Sequence, residues 1–195
     1  LAARRGDIPW PRIHRFKEPA GRTPFISPAE AARFLEAADP PRLALLALFL
    51  LSTGCRLGEA LALTPEAVDL DRQTAHFAAT KNGDARTAYL TAPLAESLAG
   101  AVAAVRPGQP LLGYRDRFQV RRDWNRIRAK TGLKTFTPHV CRHTAATWAR
   151  QSGGDTRFLM EAFGWRDAKS VARYAHVDAS REIRAGIDRS AAAGL

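Results

Sequence analysis

Nine residues, Leu-Ala-Leu-Leu-Ala-Leu-Phe-Leu-Leu at 43–51, constrain this chain more than any others. Pro40-Pro41 stands before them and Thr53-Gly54 after them. The prolines break the chain and pre-set the first turn of a helix, and the glycine can adopt the left-handed conformation that ends one. A helix apolar nearly all round must be enclosed by others, because no face of it can be left in water. It is too short to cross a bilayer. The chain is therefore expected to build a helical domain around this segment.

The rest of the chain supplies the enclosing elements. Ser27-Pro-Ala-Glu30 is a capping-box pattern that predicts a helix to about Ala38. Cys55-Arg56-Leu57-Gly58-Glu59 starts a third helix, on which Arg56 and Glu59 share a face. Thr64-Pro65-Glu66 caps a single turn. Periodicity then changes, and Val68–Leu70, Thr74–Thr80 and Arg86–Thr91 read as short strands, the last two joined by the tight turn Lys81-Asn82-Gly83-Asp84. Helix returns from Pro93 to Val105. Arg115 to Lys130 reads as a strongly basic helix with Phe118, Trp124 and Ile127 as its apolar positions. Thr137-Pro138 is a hydroxyl cap followed by a first-turn proline, and it opens a helix that Gly153-Gly154 ends. Asp155 caps the next helix, Gly164-Trp165 breaks it, and Tyr174 sits on another short helical segment. Asp178 caps a last helix to about Ser190, with Ile183 and Ile187 on one stripe. The expected fold class is mainly α with a small antiparallel β-sheet. Residues 1–26 hold prolines and basic residues without a sustained period, and read as an arm ahead of a domain at 27–195.

Charge narrows the partner. Thirty Lys and Arg against nineteen Asp and Glu leave a net charge of +11, and only five of the cations are lysines. An arginine-rich chain of this charge points to a polyanion, most often nucleic acid. Cys55 and Cys141 are too few for a disulfide framework, so they read as buried apolar side chains in a reducing, cytoplasmic setting.

The helix from Thr137 pairs His139 and Arg142 three residues apart: an imidazole that moves protons near neutral pH beside a guanidinium fork shaped for phosphate. His139 and His143 have the i,i+4 spacing of helical metal sites, but the helix lacks the glutamate of such motifs and Arg142 would repel a cation, so no metal is expected. No Walker loop, dinucleotide fingerprint or nucleophile elbow is present. Tyr89, Tyr114 and Tyr174 are all open to a nucleophile's role on spacing alone.

Taken together, Thr53–Leu61 (T-G-C-R-L-G-E-A-L), Lys81, Thr137–Thr147 (T-P-H-V-C-R-H-T-A-A-T), Gly164-Trp165 and Arg173–Val177 (R-Y-A-H-V) resemble the tyrosine recombinase, or phage integrase, family. Order and spacing match over roughly residues 25–190. The resemblance implies the catalytic-domain fold of that family and a role for each matching residue. Arg56 and Arg142 would clamp the non-bridging oxygens of a DNA phosphate, with His139 as acid/base and donor. Lys81 would protonate the leaving 5′-oxygen. Tyr174 would attack phosphorus and form a 3′-phosphotyrosyl link. Trp165 stands where the family more often has His, and would pack and donate its N–H. Glu59 matches an acidic position that helps hold the site. Two arginines can hold the charge on the phosphate without a metal, and the covalent link conserves bond energy, so no cofactor and no ATP are expected. The resemblance further implies double-stranded DNA as partner, a tetrameric synapse on it, a nucleoid setting in a bacterium or phage, and a core-binding domain to which residues 1–26 would link. Arg115 and Arg117 are the expected DNA contacts of the basic helix. A type IB topoisomerase-like relaxing enzyme and a catalytically dead DNA-binding paralogue are the alternative readings.

Overall fold

The computed structural model describes residues 24–78 and 85–174. Eight helices and one three-stranded antiparallel sheet occur among them: α1 (Pro28–Ala37), α2 (Pro41–Thr53), α3 (Leu57–Ala62), a 3-10 turn (Pro65–Ala67), β1 (Val68–Asp69), β2 (Thr74–Phe77), β3 (Arg86–Tyr89), α4 (Ala92–Ala104), α5 (Arg117–Thr131), α6 (Pro138–Gln151), α7 (Thr156–Phe163) and α8 (Ala168–Ala172). The α-plus-small-sheet expectation therefore holds. The predicted hairpin tip with Lys81, the helix after Asp178 with Ile183 and Ile187, and most of the N-terminal arm lie outside the described residues.

The apolar helix is the centre. Leu43, Leu46, Phe49 and Leu50 of α2 are wholly buried, and α1, α4, α5 and α6 pack round it. Each such side chain contributes about 1.5–3 kcal/mol by leaving water. Ser27 caps α1 in a full capping box with Glu30. Phe34 of α1 stacks in a cluster with Trp124 of α5 and Phe136, at centroid distances of 4.8 to 5.2 Å, and the Trp124 indole N–H donates to the Phe136 carbonyl at 2.9 Å. Ile26, at the end of the segment read as an arm, is buried: its N–H donates to Thr144 Oγ1 and its carbonyl accepts from Trp148 Nε1, both at 3.2 Å. The sheet runs β1-β2-β3, with Ala75 opposite Ala88 and Phe77 opposite Arg86.

A smaller apolar cluster forms on the far half of α6. Ala145, Ala146, Leu159, Phe163, Val171 and Tyr174 gather there, which ties α7 and α8 to the body.

Some boundaries differ from expectation. β1 ends at Asp69 and β3 at Tyr89, each short of its expected end, and the expected end of the second strand at Thr80 lies outside the described residues. Asp116 caps α5 by accepting from the N–H groups of Phe118 and Gln119, so Arg115 lies ahead of the helix. Phe118 is 75% exposed and not a core position. The buried face of α5 is Val120, Asp123, Trp124 and Ile127, and Phe118 projects away from it. A helical position is set by angle around the axis, and an aromatic residue at the wrong angle stays in water. Tyr174 lies two residues beyond α8, in the turn that follows it.

Candidate active site

Two helix ends meet at Arg142. Gly54 ends α2 and Gly164 ends α7, both with positive φ (57° and 65°), and α6 runs between them. A Cβ on Gly54 would stand 2.3 Å from the Phe163 ring, so only glycine lets these two ends touch. The last carbonyls of a helix lack internal partners and carry its negative pole. Arg142 meets both needs: Nη1 donates to the Gly54 carbonyl at 2.6 Å and Nη2 to the Phe163 carbonyl at 2.7 Å. Its guanidinium lies 4.5 Å from the centroid of the Trp165 ring. The side chain is buried, and that burial, together with Arg56 and Arg86 nearby, lowers its pKa to about 10, which leaves it charged at neutral pH. A guanidinium has five N–H groups. Two are spent on carbonyls, and the others are held in a fixed plane.

Arg56 reaches the same place from the start of α3. Glu59 orients it twice, accepting from its backbone N–H at 2.8 Å and from Nη1 at 3.0 Å. Glu59 also accepts from Arg86 Nη2 at 2.8 Å. Burial alone would raise the Glu59 pKa, but the Arg56 N–H and the Arg86 guanidinium hold it below the usual carboxylate range. His139, one turn before Arg142, is exposed at the rim. Desolvation, with Arg142 and Arg173 adding to it, lowers its pKa and keeps the ring neutral near pH 7.

These groups line one cleft of about 1150 Å³, which holds Arg56, Glu59, His139, Arg142 and Trp165 on one side. The other wall is α5, with Arg117, Phe118, Arg121, Asn125 and Arg128. Five arginines face it, and Glu59 is the acidic residue among its lining groups. Arg117 belongs to this wall; Arg115 does not. The stripe Arg117, Arg121, Asn125, Arg128 follows helical periodicity and is legible in the sequence, although the sequence reading names only its first member.

The three tyrosines separate. Tyr89 is 77% exposed on β3. Tyr114 is buried, and its hydroxyl donates to Asp123 in the core at 3.1 Å. Tyr174 packs against the Trp165 ring at a centroid distance of 5.5 Å. It is 1% exposed and is not part of the cleft wall. Its hydroxyl is hydrogen-bonded to Nδ1 of His143. Burial raises the Tyr174 pKa, against the pull of Arg173 and Arg142. The same burial, with His139, Arg173 and Arg142 adding to it, pushes His143 down to about 4. Sequence spacing offers His143 only a metal ligand's role, and the tyrosine is its partner instead. Its ring stands 4.4 Å from that of His139, and among the described residues no group of three metal-ligating side chains gathers. Cys55 and Cys141 are both buried with free thiols, and burial raises both pKa values, that of Cys55 to about 12.

Among the described residues no helix is long and apolar enough to cross a membrane. Residues 24–181 match the phage integrase family. The chain is 25% identical over 187 residues to the integrase of Salmonella phage P22, a match that covers 87% of this chain and 46% of that protein. Its fold is similar to the crystal structure of XerA recombinase, with a TM-score of 0.71 and 26% identity over 86% of this chain and 66% of that one. The catalytic domain of bacteriophage HP1 integrase gives a TM-score of 0.65 and 25% identity, covering 78% of this chain and 87% of that domain. The chain spans about half the length of the curated relatives it matches.

Proposed function

Because this chain belongs to the phage integrase family, we propose that it is the catalytic domain of a site-specific DNA recombinase, which cleaves and rejoins double-stranded DNA through a 3′-phosphotyrosyl link. The observation that carries this reading is the convergence of Arg56, Arg142, His139 and Trp165 on one cationic cleft, with Tyr174 packed against Trp165. Nothing in the sequence requires these side chains, spread over more than a hundred positions, to meet. A phosphodiester is the anion that such a cleft suits.

The chemistry follows from the donors. Phosphoryl transfer places charge on the equatorial oxygens, and preorganised donors aimed at that charge lower the barrier without a metal. Arg142, already locked by two carbonyls, presents its remaining N–H groups with little entropy left to lose. Arg56, aimed by Glu59, supplies the second fork, and His139 adds an N–H at the rim. The Tyr174 oxygen attacks phosphorus and gives its proton to the neutral ring of His139, the proposed base, and the bond to the 5′-oxygen breaks. That oxygen leaves as a hydroxyl after taking a proton, for which Lys81 is the proposed donor. Attack by a second 5′-hydroxyl reverses these steps. No bond energy is lost to water, so neither ATP nor a cofactor is needed. Tyr174 must first leave His143 and its apolar pocket, and DNA binding is the event proposed to draw it out. Arg117, Arg121 and Arg128 would follow the phosphate backbone, and pairs of protomers on two sites would form the tetrameric synapse in the cytoplasm of a bacterial host.

The test is a DNA duplex nicked beside the cleavage position, which traps the covalent intermediate. The expected result is a protein–DNA adduct that survives denaturation and is lost in Tyr174→Phe. An adduct that persists in Tyr174→Phe, or none with the chain plus a panel of family recombination sites, refutes the reading.

A further inference from the structure

Arg86 has no place in the mechanism above, yet it is held by a carboxylate, a carbonyl and an aromatic ring. It opens β3, and its side chain is only 12% exposed. Its Nη2 donates to Glu59 Oε2 at 2.8 Å, and its Nη1 reaches the Ala162 carbonyl at 3.5 Å. The guanidinium sits 4.5 Å from the centroid of the Phe77 ring, on the strand paired with its own. Its Nε is buried without a partner. The stem runs so close beneath Gly164 that a Cβ there would stand 2.5 Å from Arg86 Cδ.

The charges explain why this matters. Glu59 is a buried carboxylate that accepts from two arginines through different oxygens: Oε1 takes the Arg56 side chain and Oε2 takes Arg86. Oε2 also takes the Arg56 backbone N–H. Arg56 is half exposed, with a side-chain exposure of 48%, and exposed ion pairs hold their partners weakly. The firmer hold is therefore on Oε2, which Arg86, 12% exposed, shares with the Arg56 backbone N–H. Without Arg86, Glu59 would be a desolvated anion held only from the Arg56 side, by the half-exposed guanidinium and the backbone N–H.

We propose that Arg86 is a positioning residue for the phosphate cleft: by clamping Glu59 from beneath, it fixes the orientation in which Glu59 presents Arg56 to the scissile phosphate. The sheet thereby contributes to a site whose other parts are carried on helix ends. Arg86 is not among the residues that line the cleft, so its action would run through Glu59 and Arg56. The inference rests on the recombinase reading.

The experiment is a mutant cycle read as the single-turnover rate of adduct formation on the nicked duplex at saturating DNA. Arg86→Met is expected to slow that rate by about 10- to 100-fold, the scale on which outer partners of a tuned site act. DNA dissociation constants should stay within about threefold. On an Arg56→Ala background the same change is expected to cost less than about threefold, because residues acting through one partner do not add. A purely structural role would multiply the two losses. That outcome, or a wild-type rate in Arg86→Met, overturns the proposal. Where Arg86→Met melts below the assay temperature, Arg86→Lys decides by the same cycle. It keeps the charge but cannot span Glu59 and Ala162, so a loss confined to chains that retain Arg56 is expected, and a wild-type rate overturns the proposal. Wild-type adduct formation tests the recombinase reading separately. If the wild-type chain forms none, the cycle is read on the dissociation constant of inorganic phosphate in the cleft, where the same non-additivity is expected and simple additivity overturns the proposal.

Discussion

Arg142→Lys isolates what a fork does that a charge alone does not. In the native site one guanidinium spans the Gly54 carbonyl at 2.6 Å and the Phe163 carbonyl at 2.7 Å, and still has N–H groups to give. An ammonium keeps the charge but presents its three donors from a single atom. It can reach one of the two carbonyls and the phosphate, or both carbonyls and no phosphate. The lost bond is from a charged donor to a buried acceptor, worth about 1.5–3 kcal/mol to folding. The transition state loses a donor as well, at about 2.7–4 kcal/mol by analogy with an oxyanion hole. The two losses have separate readouts. A drop of about 1.5–3 kcal/mol in urea unfolding corresponds to the carbonyl bond. A fall of roughly 100- to 1000-fold in single-turnover adduct formation at saturating DNA corresponds to the phosphate contact. An Arg142→Lys variant that cleaves within about threefold of wild type would refute the reasoning, since charge alone would then suffice.

Three further outcomes are expected. His143 is held at about 4 in the folded chain against about 6.5 unfolded, so the unfolded state binds the extra proton between those values. Stability is therefore full above about pH 6.5 and falls as pH drops towards 4, by roughly 2–3 kcal/mol; His143→Asn, which keeps an acceptor for Tyr174, should flatten that slope in urea melts across pH 4 to 7. Gly164→Ala forces a side chain into a left-handed conformation at about 1–2 kcal/mol and against Arg86 Cδ at about 1–3 more; thermal melts should fall by roughly 2–4 °C for each kcal/mol, and an unchanged melt would contradict the packing. Arg121→Ala should lower the slope of log affinity for duplex DNA against log salt by about 0.9, as loss of one phosphate contact requires, and an unchanged slope would remove α5 from the DNA face.

Local chemistry settled much of this protein in advance. The buried helix α2, the caps at Ser27, Thr137 and Asp155, and the glycine stops at Gly54 and Gly164 are all decided within a few residues, because a cap or a positive φ is a short-range matter. The His139–Arg142 pair is legible for the same reason, since i,i+3 neighbours share a face whatever surrounds the helix. What the tertiary structure alone decided is everything that depends on partners distant in sequence. Phe118 is apolar enough for the core, but the packing of α1 and α2 against α5 chose the face that Val120 and Trp124 share. Arg86 reads as one more strand residue, and only the approach of Glu59 and Gly164 gives it a partner. His143 and Tyr174 meet across 31 positions, because α7 and α8 fold back over α6. Sequence spacing specifies angles along one element; which elements face each other follows from the enclosure of α2, and that is a property of the whole chain.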